Sequence, residues 1–375
     1  MSLLPNADAF KRLVDGTSHA PAARAARTGL SLLAVPYSAA VRCRNVAYDL
    51  GLFPVHACDV PVICVGNLTL GGTGKTPLVA WVVRHLQRLG IQPAVVSRGY
   101  AAKPGERSDE AAELALLLPG VNHVADKDRV AAARKAVAAG AGAIVLDDGF
   151  QHRRLDRDLD IVAIDATDPF GCGRLFPRGL LREPLAGLAR ADVIVLTRAT
   201  LVDVERREEI REQLRRHCRG GMPRVWAEAT HRLIALRQAS GSRLPLGMAL
   251  DRPVVAFAGI GNPAAFQASL VEIGGTPKAF RPFADHHAYS PEDIADLGAW
   301  ARSRGAAMIL TTLKDLVKIG RDDLGGIPLM AAELEIDILG GIEALAAQVD
   351  RAVNAAATSA SRRGACASAA EGNTS

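Results

Sequence analysis

The sequence predicts an α/β protein built on a parallel sheet. Short apolar runs rich in β-branched residues recur along the chain without the alternation of a half-exposed strand, which is typical of strands buried on both faces of a parallel sheet. Segments with helical spacing separate these runs and end at glycine, as helices commonly do. At 375 residues the chain exceeds one comfortable core, so we expect two α/β domains.

Residues 1–59 are predicted to form an N-terminal helical segment. The stretch Thr28–Phe53 is apolar but carries Arg42, Arg44 and two tyrosines, a composition that suits a membrane interface. A helical pair that caps the protein core fits the same residues, and the sequence alone does not decide between the two. Pro36 is expected to break or kink this segment into two short helices.

Residues 60–235 are predicted to form the main parallel sheet. Its expected strands are VPVICVG, QPAVVSRG, AGAIVLDDG, LDIVAIDA and ADVIVLTR, and its expected helices include TPLVAWVVRHLQRLG and DRVAAARKAVAAG. The strand-helix repeat stops near LIALRQASGSRLPLGMAL, where a Gly/Ser turn suggests a domain junction.

Residues 236–353 are predicted to form a second, smaller α/β lobe. Its expected strands are RPVVAFAGIG, GAAMILTT and IPLMAAELEI. The tail 354–375 is small and polar with nothing to bury, so we expect it to be disordered.

Composition excludes several classes of protein. The formal net charge is +5, from 45 Lys+Arg against 40 Asp+Glu, which suits anionic substrates or lipid headgroups as readily as nucleic acid. Only 4% of the residues are aromatic and none interleave with a basic segment, so nucleic acid is not an expected partner. The six cysteines show no C-x-x-C pairing, which gives no indication of a zinc site or a disulfide framework. We find no secretory signal and no run of about 18 to 20 apolar residues for a transmembrane helix.

A glycine-rich turn follows the first strand of the main sheet. The run VPVICVG leads into a turn with three glycines, then Lys75 and Thr76, then a helical pattern, which is the arrangement of a P-loop. Thr69 stands where the G-x-x-x-x-G-K-[ST] template has its first glycine. The remaining glycines still allow backbone N–H groups to surround phosphate oxygens, with Lys75 on the β/γ oxygens and Thr76 on Mg²⁺. The core is therefore predicted to be P-loop NTPase-like.

Two acidic residues end a neighbouring strand. Asp147 and Asp148 follow an apolar run in AIVLDDGFQ, at the edge of a parallel sheet where ligands bind. One carboxylate can face Mg²⁺ while the other orients a loop or ligand. The G-x-G-x-x-A pattern in FAGIGNPAAF is not taken as a dinucleotide site, because Pro263 lies within it and no acidic residue follows about 20 positions on.

The segment FADHHAYSPEDI contains a second group of polar residues. Asp285, His286 and His287 precede Ser290, a good helix N-cap with acidic residues in the following turn. Adjacent histidines point in different directions, so a chelating pair is not expected. A histidine paired with a carboxylate and a purely structural role both remain open.

The chain resembles the tetraacyldisaccharide 4′-kinases, the lipid A 4′-kinases of Gram-negative bacteria, from roughly residue 28 to 350. The resemblance rests on the ordered motifs GNLTLGGTGKTP, SRGY, LDDGFQHRRLDRDLDI, GRLFPRGLLREPL, FADHHAYSPED and TTLKD. Thr69 is the residue that this family has at its position. The resemblance implies Mg²⁺- and ATP-dependent phosphorylation of the 4′-hydroxyl of a tetraacylated glucosamine disaccharide 1-phosphate. It also implies a location at the cytoplasmic face of the inner membrane against anionic lipids, while a protein partner is not among its implications.

The same resemblance implies roles for individual residues. The implied ATP-binding residues are Thr69, Gly71, Gly72, Thr73, Gly74, Lys75 and Thr76; the implied Mg²⁺ site is Thr76, Asp147, Asp148 and Glu183; and the implied catalytic residues are Lys75 with the pair Asp109 and His286. The chain departs from the family pattern in having Ser108 and Ala111 around Asp109, Leu313 in place of glutamate, and Ala284 in place of proline.

Two other functions compete with this one. A membrane-associated partitioning ATPase usually has a lysine at the position of Leu70, so the loop argues against that switch. A kinase of a soluble metabolite would need no apolar N-terminal segment.

Overall fold

The computed structural model describes residues 7–99, 109–217, 225–247, 252–272, 275–285 and 287–371. The helices are α1 (Ala7–Val14), α2 (Pro21–Asp49), α3 (Lys75–Arg88), α4 (Asp109–Leu117), α5 (Arg129–Ala138), α6 (Val204–His217), α7 (Pro263–Glu272), α8 (Pro291–Ser303), α9 (Leu313–Ile319) and α10 (Ile342–Glu371). The strands are β1 (Val62–Gly66), β2 (Pro93–Ser97), β3 (Asn122–Ala125), β4 (Ala143–Asp147), β5 (Leu159–Asp165), β6 (Val193–Thr197), β7 (Val225–Arg237), β8 (Arg243–Leu244), β9 (Val254–Ala258), β10 (Phe280–Pro282), β11 (Met308–Thr312), β12 (Asp323–Leu324) and β13 (Ile327–Gly340).

One sheet runs through both halves of the described chain. Its order is β10-β9-β11-β13-β7-β6-β5-β1-β4-β2-β3, with β8 beside β7 and β12 beside β13. Neighbouring strands are parallel except where β13 meets β7 and in the short pairings of β8 and β12. The predicted α/β fold with a largely parallel sheet is confirmed.

The expected strands of the main sheet coincide with β1, β2, β4, β5 and β6, and every residue of these strands is buried. Helices α3 and α5 also form where the sequence places them, and the glycines that follow them, Gly90 and Gly140, have positive φ angles of 78° and 90°. Such a conformation favours glycine after a helix. The expected domain boundary at 235/236 lies inside β7, and the division into two domains stays a prediction.

The antiparallel pair β7–β13 reverses the strand direction between the two halves. Its register shifts between Glu333 and Leu334 and again between Ile338 and Gly340, and such irregularities bend and twist a strand. As a result, the loop after β9 lies against the loop after β1. The two loops are close enough that a Cβ added to Gly261 would lie 3.4 Å from the backbone nitrogen of Gly72. Residues from both halves therefore border one cleft.

Helix α2 differs from the expected pair of short helices. It continues from Pro21 to Asp49 through Pro36, so the predicted break is wrong. Pro36 is exposed, and the carbonyl group that loses its helical hydrogen bond can bind solvent instead. The Tyr37 hydroxyl donates to the Arg182 carbonyl oxygen at 2.8 Å, which fixes α2 beside the cleft.

Helix α2 and the residues after it expose apolar side chains. They are Leu32, Leu33, Val35, Val46, Leu50, Leu52, Phe53 and Val55. Among the described residues, no helix combines the length and the hydropathy needed to cross a membrane.

Helix α10 extends to Glu371, into the C-terminal segment 354–375. The disorder expected of this segment stays a prediction. Alanine is frequent in this segment and is the strongest helix former, which explains a helical backbone there.

Gly66, the last residue of β1, allows Phe150 to pack closely against the backbone of this strand. A Cβ at this position would lie 2.5 Å from Phe150 Cβ and 2.9 Å from the Phe150 nitrogen.

We expect Gly66→Ala to lower the free energy of unfolding by about 1–3 kcal/mol, the usual cost of overpacking, as measured by urea denaturation. The control is Gly29→Ala on the exposed face of α2, where a Cβ meets nothing within 4 Å. Equal stabilities of Gly66→Ala and the unmodified protein would contradict this account.

Candidate active site

The P-loop, residues 67–76 between β1 and α3, is held by hydrogen bonds on its outer side. The Asn67 side-chain amide donates to the Thr69 carbonyl oxygen at 2.8 Å. The backbone N–H of Arg182 donates to the Leu68 carbonyl oxygen at 2.7 Å, and the N–H of Leu70 donates to the Leu180 carbonyl oxygen at 2.7 Å. The segment 180–182 thus fixes the first part of the loop.

The end of β6 holds the second part of the loop. The buried Thr197 hydroxyl donates to the Thr73 carbonyl oxygen at 2.8 Å, the nearer of two acceptors, since the Ile164 carbonyl oxygen lies 3.2 Å away. The Arg198 guanidinium donates to the Gly72 carbonyl oxygen at 3.0 Å and forms an ion pair with Asp165.

Position 74 has no room for a side chain. Its φ is +75°, and a Cβ would lie 2.2 Å from Cε1 of His231 on β7. Burial, together with the charge of Arg198, lowers the pKa of His231 to about 4. His231 is therefore a neutral ring packed under the turn at physiological pH, and the N-terminus of α3 points into the cleft above it.

Lys75 is held by an acid at the end of β4. Its Nζ lies 2.7 Å from Asp148 Oδ1 and 2.9 Å from Asn67 Oδ1. Asp148 has a positive φ of 55°, and its Oδ2 accepts from Arg182 at 2.7 Å. Burial alone would raise the pKa of Asp148, but the charges and hydrogen bonds of Lys75 and Arg182 hold that pKa well below its usual range. Two cations thus converge on one ionised carboxylate, in a position where an anionic ligand can compete for them.

Asp147 is the buried last residue of β4 and borders the same cleft as Asp148. Thr76 lies in the first turn of α3, beside Lys75. Within the described part of the chain, no group of three or more His, Cys, Asp or Glu residues could hold a metal ion by itself.

Glu183, whose role as a metal ligand stays a prediction, is surrounded by protein donors. Its side chain is fully buried, and both carboxylate oxygens accept from Arg190, at 2.9 and 2.8 Å. Gln151 donates to one oxygen at 3.0 Å, and Asn45 of α2 donates to the other at 3.0 Å. In this arrangement Glu183 has no exposed oxygen to offer, and its carboxylate joins α2 to the wall of the cleft instead.

The expected catalytic pair lies only partly within the structure. Asp109 begins α4, which packs against α9, but its side chain is not described, and His286 lies outside the described residues. The residues on either side of position 286 are described. Asp285 borders the cleft, and its carboxylate lies 3.4 Å from Lys314 Nζ. His287 pairs with Asp293 at 3.1 Å. The predicted N-cap at Ser290 is present, and Asp293 completes a capping box with it.

Two cavities meet at the P-loop. The first, of 280 Å³, contains the start of α3 and apolar residues of the second half, among them Ile260, Phe266 and Leu334. The second, of 650 Å³, contains Asp147 and Gln151 and extends to α1 and α2, where Lys11, Tyr37 and Arg44 line it. Residues shared by both cavities are Gly71, Gly72, Thr73, Asp148, Arg182, Gly261, Asn262 and Asp285.

A glycine-rich loop between a parallel strand and a helix, a lysine at the helix start and acids at the end of the adjacent strand define a P-loop nucleotide-binding protein. A second cavity lies beside that loop. A family model described as tetraacyldisaccharide-1-P 4′-kinase matches residues 26–354, and the chain belongs to this family.

Individual relatives agree with the family model. The chain is 41% identical over 310 residues to the tetraacyldisaccharide 4′-kinase of Geobacter metallireducens, covering 78% of this chain and 88% of that protein. It is 37% identical to the enzyme of the same name from Anaeromyxobacter sp. strain K, covering 87% and 91%. The crystal structure of LpxK from Aquifex aeolicus, described as a complex with ATP, superposes with a TM-score of 0.69 at 29% identity, covering 87% of this chain and 99% of that one.

The predicted activity is therefore confirmed: the protein is an enzyme with tetraacyldisaccharide 4′-kinase activity in lipid A biosynthesis. Family membership excludes the partitioning ATPase. It also implies a lipid A disaccharide 1-phosphate as the substrate, rather than a soluble metabolite.

The sequence reasoning missed several residues of this site. Arg182 precedes Glu183 in the quoted motif GRLFPRGLLREPL, and Thr197 and Arg198 stand at the carboxyl end of the predicted strand ADVIVLTR. The position of Thr197 and Arg198 after a parallel strand was a usable signal, since side chains there face the ligand edge of the sheet.

We expect Lys75→Ala to lower the rate of phosphoryl transfer by at least about 100-fold, the usual loss when one preorganised charge is removed from a transition state. The fold should survive, because Asp148 retains its ion pair with Arg182. The measurement is kcat with the lipid acceptor beside the thermal unfolding midpoint, and Lys135→Ala, an exposed lysine paired with Asp126, is the control. Normal kcat in folded Lys75→Ala would contradict the role of the loop.

Proposed function

We propose that ATP is the phosphoryl donor and that its phosphates bind along residues 71–76 of the P-loop. Support comes from the positive φ angles of Gly71 and Gly74, from the N-terminus of α3 directed at the loop, and from Lys75 and Arg182, which already converge on an anion. The relative from Aquifex aeolicus is described as a complex with ATP. On binding, the phosphates would replace Asp148 as the partner of Lys75.

Mg²⁺ fits the oxygen donors at this edge of the sheet. The ion prefers oxygen ligands and is commonly held by one or two carboxylates with phosphate oxygens and water supplying the rest. Asp147, Asp148 and Thr76 are the residues that would hold it, whereas the enclosed carboxylate of Glu183 does not fit a direct ligand. When bound, Mg²⁺ would neutralise charge on the β- and γ-phosphates.

The two cavities suggest which ligand binds on which side. The smaller cavity contains the start of α3 and apolar side chains such as Phe266, so it suits the nucleoside of ATP. The larger cavity contains Asp147 and opens towards α2, so it suits the disaccharide with its 4′-hydroxyl directed at the γ-phosphate. This arrangement of one loop between two cavities is the observation that carries the proposal.

Helix α2 would hold the enzyme on the cytoplasmic face of the inner membrane. Its exposed leucines and valines can enter the apolar boundary of a bilayer, and Arg42 can contact anionic headgroups. Tyr37 and Arg44 of the same helix line the larger cavity. A lipid substrate could thus reach the cleft with its acyl chains still in the membrane.

Asp109 and His286 would activate the acceptor. In this mechanism Asp109 takes the proton of the 4′-hydroxyl while the oxygen of that hydroxyl bonds to the γ-phosphorus. The bond between the γ-phosphorus and the β–γ bridging oxygen breaks, and ADP leaves with the electrons of that bond. His286 would orient Asp109 by a hydrogen bond. A correctly held base adds about 10²- to 10⁴-fold to such a rate.

The direct test of the proposed function is incubation with γ-labelled ATP, Mg²⁺ and the lipid disaccharide 1-phosphate, followed by chromatography of the lipid. We expect label on the 4′-position that depends on all three components. Label transfer to water alone, or to a headgroup lacking the disaccharide, would contradict the proposal.

We expect Asp109→Ala and His286→Ala each to lower kcat strongly while the affinity for ATP stays near the unmodified value, because both act on the acceptor. If the two form one unit, the double variant should be little worse than the poorer single variant. Multiplicative losses, or a defect confined to the KM of the lipid, would show that they act separately.

We expect serine replacements of Leu32, Leu33 and Val35 to reduce flotation with anionic vesicles, because these side chains are 70%, 61% and 66% exposed on α2. The fold should be unaffected, as none of the three is buried. Serine at Val204 and Leu339, which are exposed elsewhere, is the matched control. Unchanged flotation of the α2 variant would refute this role of the helix.

A further inference from the structure

We propose that Thr197 and Arg198 are positioning residues that set the direction of the P-loop amides. Thr197 holds the Thr73 carbonyl oxygen and Arg198 holds the Gly72 carbonyl oxygen, at 2.8 and 3.0 Å. In a trans peptide the C=O and the following N–H point in opposite directions. Holding these two carbonyl groups towards β6 therefore turns the N–H groups of Thr73 and Gly74 away from β6.

This direction matters because of what the loop must bind. Residues 71–73 line both cavities and Gly74 lines the smaller one, and an N–H attracts an anion there whereas a carbonyl oxygen repels it. Glycines at 71, 72 and 74 leave the loop backbone unusually free to adopt either orientation. The inference rests on the proposed binding of ATP phosphates to this loop, and it assigns to β6 the task of choosing the orientation.

The support from β6 is itself rigid. Thr197 is fully buried, and the side chains of Arg198 and Asp165 are 12% and 8% exposed. Asp165 also accepts from the N–H of Thr167 at 2.9 Å and from its hydroxyl at 2.7 Å. Arg198 has a positive φ of 54°, a conformation that a residue with a side chain adopts only when its surroundings impose it.

Thr197 separates positioning from charge. Arg198 pairs with Asp165 and also lines the smaller cavity, so replacing it would change the charge beside a phosphate as well as the Gly72 peptide unit. The Thr197 hydroxyl carries no charge, so its removal leaves the charge around the loop unchanged.

The test is Thr197→Val, which keeps the shape of the side chain and removes the donor to Thr73. We expect the dissociation constant and KM for ATP to rise at least tenfold, while the KM for the lipid stays within about twofold. Thr197→Ser, which restores the hydroxyl, should recover ATP binding to within about threefold. Thr311→Val is the matched control, because Thr311 is also fully buried near a strand end and its hydroxyl has no hydrogen-bond partner among the described residues.

The outcomes separate this inference from the proposed function. If the unmodified protein does not bind ATP, the proposed function fails. If it binds ATP and Thr197→Val binds equally well, or if serine does not rescue, the inference alone is overturned. Should Thr197→Val fail to fold, Thr197→Ala is the second variant, because it removes the same hydroxyl donor without placing a new methyl group beside Thr73. An unchanged KM for ATP in folded Thr197→Ala would also overturn the inference.

Discussion

The direction of the peptide units in the P-loop is the constraint on which the site depends. Five carbonyl oxygens of this loop accept hydrogen bonds from the backbone of Arg182 or from the side chains of Asn67, Gln151, Thr197 and Arg198; they are those of Asn67, Leu68, Thr69, Gly72 and Thr73. A loop so rich in glycine has no strong preference of its own. These hydrogen bonds supply that preference, so the amide groups and the start of α3 can face an anion without rearrangement.

The reversal of strand direction at β7–β13 gives the site its second wall. It brings the loop after β9 against the P-loop, so that Gly261 and Asn262 border both cavities. On the opposite side, the carboxylate of Glu183 connects Asn45 of α2 with Gln151 and Arg190. Under our proposal, the same polar contacts that anchor α2 would keep a lipid-facing helix in register with the transfer site.

Much of this could be predicted from sequence because it is encoded locally. Buried parallel strands appear as unbroken apolar runs, and the spacing of glycine, lysine and threonine after β1 identifies the P-loop. The strand β3 was not predicted because its residues are half-exposed. The strand β7 was not predicted because the burial of its residues alternates and because it crosses the expected domain junction. Long-range pairings were equally hidden: Thr197 meets a carbonyl group 124 residues away, and Glu183 is enclosed by Arg190, Gln151 and Asn45 rather than open to a metal. Pro36 remains inside α2 because the exposed surface of the helix tolerates one lost hydrogen bond, which the sequence pattern does not reveal.

The central claim is that the P-loop is organised before the nucleotide arrives and that Lys75 alone changes partner. A crystal structure with a non-hydrolysable ATP analogue and Mg²⁺ tests it most directly. The account predicts that the hydrogen bonds from Thr197 to Thr73 and from Arg198 to Gly72 persist, while Lys75 Nζ leaves Asp148, now 2.7 Å away, for a phosphate oxygen. A reversed Gly72 or Thr73 peptide, or a Lys75 still bound to Asp148 beside the bound analogue, would contradict it.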